Sequence, residues 1–377
     1  MIVRISGNTA ATSAFGSPEA ARRWLDGERA TLLTMVVHAA REDRPGFAAG
    51  LALTLHRYLN TYGYYHEELA IVGHALDASR RIGDYAAEAW LLNYLGATNW
   101  HLGRLRLASE CHERTLSLFR KAADRMGEAD VLCSLGAYDL RQGRYRQAAD
   151  QYRAASLARE ADDWRGEQRA LTSLAVLDLQ HGRYQHAADR LRRALSLARS
   201  VGHRHLEAHT LSILGQVELR WGRYQLAAEH LTQALLLNHD LGNRKIEADT
   251  LSALGLLSSR QGGHRRAIGQ LRQSLALCRA IGDLMIEQQT LNNLGEVFLA
   301  LGRPGPARAW YDRALSLSDQ IGDRFEQARA YAGLAAVADG LDDLTAGRAH
   351  WQRALLIYGE LGAPEAEQIR ARISRLA

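Results

Sequence analysis

Apolar residues along most of the chain recur at intervals of three and four positions, as in Leu91, Leu92 and Leu95. This spacing places them on one face of an α-helix, whereas apolar residues in a half-buried strand alternate with polar ones. Turn-forming residues interrupt the pattern regularly, and the chain contains only 5 prolines. The pattern therefore predicts a series of amphipathic helices joined by short turns.

The helical pattern repeats with a nearly constant period. A leucine followed by a small residue recurs at intervals of 40 residues, with one interval of 39. The pairs are Leu95-Gly96, Leu135-Gly136, Leu174-Ala175, Leu214-Gly215, Leu254-Gly255, Leu294-Gly295 and Leu334-Ala335. A turn residue follows each pair at a fixed distance, from Gly103 to Asp342. We call each set of equivalent positions a column. Several columns with the same 40-residue spacing predict tandem copies of one helical hairpin.

Each column has a physical role in such a hairpin. The small residue after leucine lets the second helix approach the first closely, and a glycine at the turn satisfies free carbonyl groups in a left-handed conformation. An Asp or Asn, such as Asp84 or Asn243, stands at the start of the first helix, and an acidic residue such as Glu88 follows in its first turn. The predicted fold class is all-α, a right-handed α-solenoid of tandem helix-turn-helix repeats.

Charge and cysteine content limit the function classes. The chain has 47 basic and 42 acidic residues, a net charge of +5, and its basic residues are scattered. Direct nucleic-acid contact is therefore not expected, because such sites concentrate positive charge. Cys111, Cys133 and Cys278 form no CxxC pair, which fits reduced thiols. No signal peptide or long apolar run is evident, so we expect a cytoplasmic protein without membrane contact.

The hairpins resemble the tetratricopeptide repeat. Leu and Gly occur in the first helix, and Gly and Tyr occur at the turn, as in Gly143 and Tyr145. The resemblance covers residues 46–361, but each copy is about six residues longer than the usual 34. Leu92 or Leu211 occupies the position of the usual Trp, and the late Pro is missing. The expected division is a flexible segment 1–16, a helical cap 17–42, eight hairpins 46–361 and a capping helix 365–377.

A second resemblance concerns the N-terminal stretch from Phe15 to Val37. It is similar to the segment that opens the C-terminal repeat region of actinobacterial transcription regulators of the SARP and STAND types. The matching residues are Trp24, Leu25, Glu28, Arg29 and Leu32. The resemblance implies a sensor or oligomer-control arm of a regulator, either separated from its effector modules or existing alone.

The sequence predicts no catalytic residue, no metal site and no cofactor. No GxxxxGK[ST] motif for binding phosphate occurs. His205 and His209 have the i, i+4 spacing of two metal ligands, but no third ligand is evident. Cys111 and His112 are adjacent on a helix and point in different directions, so they do not form a nucleophile and base pair.

Residues on the first helix that the packing columns do not use are expected to line the concave face. The candidates are Asn93, Trp100, His101, Arg141, Arg169, Arg220, Arg260, Asn292 and Arg329. By resemblance to tetratricopeptide proteins, the Asn side chains would hold a peptide backbone and the basic residues its carboxylates. Arg141, Arg220 and Arg260 are expected to form a basic stripe for an acidic or C-terminal peptide. The alternative is that these residues only keep the groove wet.

Aromatic residues are concentrated in the first repeats. Tyr58, Tyr62 and Trp90 are candidates for an exposed patch that anchors a partner's side chains. Packing against the N-terminal cap is the alternative, since a terminal repeat lacks one neighbour.

Three functions follow from the sequence. The first is a non-catalytic interaction or sensor domain of a transcription-regulator type, which binds a peptide, a protein partner or a sister chain through its concave face. The second is a stand-alone intracellular receptor for a signalling peptide or small metabolite. The third is an enzyme that acts on an acidic substrate, but it requires a catalytic constellation that the sequence does not contain.

Overall fold

The computed structural model describes residues 18–42, 44–157 and 164–376. These ranges contain eighteen α-helices and no strand. The helices are α1 (Pro18–Arg41), α2 (Pro45–Tyr62), α3 (Tyr65–Ile82), α4 (Tyr85–His101), α5 (Leu105–Lys121), α6 (Arg125–Arg141), α7 (Tyr145–Leu157), α8 (Trp164–Gln180), α9 (Tyr184–Ser200), α10 (Arg204–Arg220), α11 (Tyr224–Asp240), α12 (Arg244–Arg260), α13 (His264–Ile281), α14 (Leu284–Ala300), α15 (Pro304–Ile321), α16 (Arg324–Asp339), α17 (Leu344–Glu360) and α18 (Glu365–Leu376).

The helices from α2 to α17 form consecutive antiparallel hairpins, so the chain is an all-α solenoid, as predicted. We call the even-numbered helix of each pair helix A and its partner helix B. Each helix A packs on its own helix B and also contacts the next helix A, which places the A helices on the inner side. The predicted flexible segment 1–16 lies outside the described residues, and the division into domains stays a prediction.

Polar side chains cap the N-terminal ends of A helices at positions that the sequence predicted. The Asp84 carboxylate accepts a hydrogen bond from Ala87 N at 3.0 Å, and Asp124 accepts one from Gly127 N at 2.9 Å. At the start of α10, the imidazole of His203 takes this role and accepts from Leu206 N at 3.3 Å. These caps satisfy amide groups that have no partner within the helix.

The small residue after leucine marks the closest contact between helices A and B. A Cβ atom added at Gly215 would lie 2.5 Å from Leu231 Cγ, and one added at Gly255 would lie 2.6 Å from Leu271 Cγ. Both leucines are fully buried. The predicted role of this column is therefore confirmed: the absent side chain makes room for a large residue of helix B.

Replacing Gly215 or Gly255 with Leu should lower the free energy of unfolding by roughly 1–3 kcal/mol, because the new side chain overfills this contact. Thermal unfolding followed by circular dichroism measures the change. Gly269→Leu is a matched control, since Gly269 is an exposed position within α13 and has no neighbouring atom within 4 Å of an added Cβ. If Gly215→Leu and Gly269→Leu had the same melting temperature, the packing column would be misassigned.

Candidate functional site

The inner surface of the solenoid is enclosed, because an early turn touches a later one. The C-terminal ends of α4, α6 and α8 lie against residues that precede α14, α16 and α18. The contacts are His101 with Asp283, Arg141 with Asp323 and Gly182 with Pro364. The partners in each contact are 182 residues apart, or about four and a half repeats of 40. We call this line of contacts the inter-turn seam and the space lined by the A helices the lumen.

Arg141 and Asp323 form the central joint of the inter-turn seam. One oxygen of Asp323 accepts from the Glu326 amide at 3.2 Å and so caps α16. Its other oxygen accepts from Arg141 Nη1 at 2.7 Å and from Gln288 Nε2 at 2.8 Å. The Asp323 carboxylate is fully buried, and this burial raises its pKa although Arg141 opposes the shift. Asp323 therefore joins two turns while it caps its own helix.

His101 forms a second joint. Its Nδ1 atom lies 3.4 Å from Asp283 Oδ2, its Nε2 atom lies 3.2 Å from Lys245 Nζ, and its ring stacks on Tyr65 with a centroid distance of 5.0 Å. Burial and the charge of Lys245 lower the pKa of His101 below its usual value. The imidazole is therefore neutral near pH 7 and bridges an ammonium and a carboxylate group from the later turn.

The C-terminal helix supplies a further contact. Glu365, at the start of α18, accepts from Arg220 Nη2 at 2.7 Å. The Arg220 guanidinium also lies 5.8 Å from the centre of the Phe325 ring. Trp100, another predicted site residue, packs in a small cluster with Leu105, Met285 and Ile321 beside the inter-turn seam. These side chains are used in closing the superhelix.

The arginines of the expected basic stripe are not free. Arg141 and Arg220 pair with carboxylates of the later turn, and Arg260 pairs with Glu296 of the next repeat. These arginines were expected to make no contacts that hold the fold together, and this expectation is wrong for Arg141 and Arg220. The reason is that their partners are far away in sequence and meet them only when the superhelix closes.

The other predicted lumen residues also have partners within the protein. Arg329 contacts Glu326 at 3.4 Å and Glu296 at 3.3 Å, whereas Arg169 pairs with Asp130 and donates to Ser134 Oγ at 3.1 Å. Even so, 44% of the Arg169 side-chain surface remains exposed. A role for these arginines in ligand binding stays a prediction.

The two predicted asparagines are buried. Asn93 Nδ2 donates to Asp130 Oδ2 at 3.1 Å. Asn292 Nδ2 donates to the backbone oxygen of Glu326 at 3.1 Å and to its carboxylate at 2.8 Å. Their NH₂ groups are therefore committed to neighbouring repeats in this state. Binding of a peptide backbone by them stays a prediction.

Two of the three aromatic candidates in the first repeats, Tyr58 and Tyr62, pack against α1, and the third, Trp90, packs against α5. Tyr58 is only 7% exposed and donates to Asp26 at 2.5 Å. The Arg22 guanidinium lies 4.4 Å from the Tyr62 ring centre, and Trp90 meets Phe119 edge to face at 5.1 Å. The expected exposed patch is wrong for Tyr58, because the N-terminal cap covers it.

A column of buried hydroxyl groups joins neighbouring A helices and was not recognised in the sequence. Thr250 Oγ1 donates to Ser212 Oγ at 3.0 Å, and Thr290 Oγ1 donates to Ser252 Oγ at 3.1 Å. All four side chains are fully buried. The 40-residue spacing of Thr210, Thr250 and Thr290 is the sequence signal for this ladder.

Comparison with protein families supports the repeat assignment. Family models described as tetratricopeptide repeat match residues 87–161, 167–238 and 288–321. The chain contains tetratricopeptide repeats. No curated protein matches the sequence.

Solved structures share the fold at low sequence identity. The Rap conjugation gene regulator of the plasmid pLS20, in complex with the Phr* peptide, is 14% identical with a TM-score of 0.60, and the alignment covers 92% of this chain and 96% of that one. Aspartyl phosphate phosphatase F from Bacillus subtilis is 13% identical with a TM-score of 0.54 and coverages of 87% and 93%. A STAND protein with a tetratricopeptide repeat sensor from Pyrococcus horikoshii is 10% identical with a TM-score of 0.50 and coverages of 82% and 52%.

At these identities, the structural similarity concerns the fold. The SARP resemblance of the N-terminal stretch stays a prediction. Among the described helices, none is both long and apolar enough to cross a bilayer. The same part of the chain contains no group of three or more His, Cys, Asp or Glu side chains arranged to hold a metal ion.

Arg141→Ala should lower the free energy of unfolding by roughly 2–4 kcal/mol, because it leaves the buried Asp323 carboxylate without its cation. Chemical denaturation measures this loss, and small-angle X-ray scattering should show a larger radius of gyration as the turns separate. Arg260→Ala is the control: Arg260 has the equivalent position on α12, but its partner Glu296 belongs to the adjacent repeat. That exposed pair should contribute at most about 1 kcal/mol. Equal losses of stability for the two substitutions would show that the Arg141–Asp323 contact does not hold the two turns together.

Proposed function

We propose that the protein is a non-catalytic regulatory receptor that binds a peptide or an extended protein segment in the lumen. The main support is the enclosed lumen itself, which presents polar and charged side chains of several consecutive repeats to one ligand. Solenoids bind extended ligands through such surfaces because each repeat adds a similar contact. We assign the receptor to the class of cytoplasmic transcription regulators, in accord with the sequence resemblance.

The similar structures agree with this proposal. The Rap regulator of pLS20 has the same fold and holds the Phr* peptide. The STAND protein uses its tetratricopeptide repeats as a sensor. The similarity to the phosphatase concerns the fold alone and supplies no catalytic residue for this chain.

Ligand binding and closure of the superhelix are linked in this mechanism. A peptide in the lumen contacts helices of both turns and so adds to the direct contacts between them, which include the inter-turn seam and the hydrogen bond from Tyr62 Oη to the backbone oxygen of Leu241 at 3.5 Å. Such a peptide therefore binds the closed state better than an open one and shifts the population toward closure. The linked prediction is that the peptide raises the melting temperature and protects the seam-forming ends of α4 and α6 from hydrogen exchange.

Panning a displayed random-peptide library against the full chain would supply a peptide ligand. Arg169→Gln should weaken binding of the selected peptide about tenfold, which corresponds to the loss of one charged hydrogen bond of about 1.5 kcal/mol. Fluorescence anisotropy of the labelled peptide measures the affinity. Arg153→Gln is the control, because Arg153 lies on helix B and pairs with Asp150 at an exposed site. If the peptide bound both variants with wild-type affinity and left the exchange of α4 and α6 unchanged, it would not occupy the lumen.

A further inference from the structure

An apolar groove lies between two consecutive B helices, α11 and α13, on the outer side of the solenoid. It is open to solvent and has a volume of about 510 Å³. Its lining includes Leu235 and Leu236 of α11, Leu251 of α12, and Gln273, Ala276 and Leu277 of α13. We call it the outer groove. Because it is open, it can bury only one face of a ligand, whereas sites for small molecules bury most of the ligand surface.

Leu236 contributes the most exposed apolar side chain of the outer groove. It is 62% exposed. The equivalent position is a small residue on α5, α9 and α15, namely Ser117, Ser196 and Ser316. It is leucine again on α17, where Leu356 is 56% exposed. Packing of the repeats therefore does not require a leucine here, and covering Leu236 with an apolar ligand would be favourable.

The α13 wall of the outer groove is positively charged. This helix contains four arginines and no acidic residue. Arg272 directly precedes Gln273 and lies one helical turn before Ala276, which places it on the groove side of α13. In the part of the chain that the structure describes, Arg265, Arg266 and Arg272 are exposed and have no carboxylate within 4 Å. The fourth arginine pairs with a carboxylate of α14 at 2.7 Å.

The repeat pattern explains why Arg272 is unpaired. The same position holds Arg153 on α7 and Arg192 on α9, and each pairs with an aspartate three residues earlier, at distances of 3.0 and 2.9 Å. On α13, the residue three positions earlier is Gly269. The other B helices from α5 to α17 have no arginine at this position. Arg272 therefore occupies the site of a surface ion pair but lacks the acidic partner.

The acidic residues beside the outer groove lie at its other side, where α11 ends and α12 begins. Glu247 lies 3.3 Å from His239 Nδ1, and Asp240 lies 3.7 Å from Arg204. These carboxylates already have basic partners. A ligand with an apolar face and carboxylates therefore gains most when its apolar face covers Leu236 and its carboxylates lie along α13.

We propose that the outer groove binds an acidic amphipathic helix of a partner protein. Its apolar side chains pack on Leu236, and its carboxylates face Arg272 and, two turns earlier on α13, Arg265. A helix suits an open groove because its apolar residues at i, i+3 or i+4 and i+7 form one stripe that the groove can bury. The lumen is formed by the A helices, whereas this site is formed mainly by B helices, so the inference is independent of the proposed function and goes beyond it.

Fluorescence anisotropy tests the proposal with the full chain and a labelled designed helix of about 18 residues. The peptide has leucines at the stated spacing and glutamates elsewhere, and the control peptide has lysines in place of the glutamates. We expect the acidic peptide to bind and the basic one not to bind. Leu236→Ala should weaken binding about tenfold. Arg272→Glu should weaken binding of the acidic peptide and strengthen binding of the basic peptide, because it reverses the charge of the α13 wall.

The matched controls are Leu356→Ala and Arg153→Glu, since these residues have the same repeat positions on α17 and α7. Both should bind the acidic peptide as the wild type does, with unchanged circular dichroism for all four variants. The proposal is overturned if the controls weaken binding as much as the groove variants, or if the wild type binds both peptides equally.

Two further measurements identify other occupants of the outer groove. Self-association of the wild-type chain in analytical ultracentrifugation, lost in Leu236→Ala, would overturn the proposal in favour of a second copy. Binding to phosphatidylglycerol vesicles, lost in the same variant, would overturn it in favour of a membrane surface. A panned peptide that occupies the lumen should bind Leu236→Ala with wild-type affinity, so failure of the outer groove would leave the proposed function intact.

Discussion

The close contact between helices A and B at the small-residue column is the constraint on which the rest of the structure depends. It sets the angle and distance within each hairpin, as Gly215 against Leu231 and Gly255 against Leu271 illustrate. Because the same contact recurs every 40 residues, each hairpin is rotated by a similar amount relative to the preceding one. A small constant rotation, summed over about four and a half repeats, returns the chain to its own earlier turn. The inter-turn seam is thus a consequence of local packing repeated without interruption.

The sequence predicted the local part of this architecture because the determinants of a helix lie within a few residues of each other. Helix starts at Asp84 and Asp124 and the glycine contact with helix B follow from short-range rules. The inter-turn seam was not predictable in the same way. Asp84 and Asp323 have the same place in the repeat, yet the first is partly exposed and the second is fully buried beneath an arginine from 182 residues earlier. Nothing local distinguishes them, because only the pitch of the superhelix decides which cap meets a previous turn.

The sequence predicted that polar residues line the inner face, but it did not predict which of them are free to bind a ligand, for a related reason. Inward-facing polar residues were assigned to ligand binding, whereas the structure uses many of them to hold repeats together. Asn292 binds Glu326, and Ser212 and Ser252 accept hydrogen bonds from threonines of the next repeat. A polar residue on the inner face has two possible partners, a ligand or a neighbouring repeat. The choice between these partners depends on which residue stands 33 to 41 positions further along the chain. The pattern within one repeat does not include that residue.

The first hairpin departs from the common pattern: His56 stands where later repeats have glycine or alanine, stacks on Tyr94 at 3.5 Å and pairs with the buried Glu68. In a repeat array, the stability of an interior unit depends on neighbours on both sides, so its charged residues are constrained to match. The first hairpin has α1 on one side instead of another hairpin, and α1 contacts both α2 and α3, so its helix A can depart from the repeat pattern as His56 does.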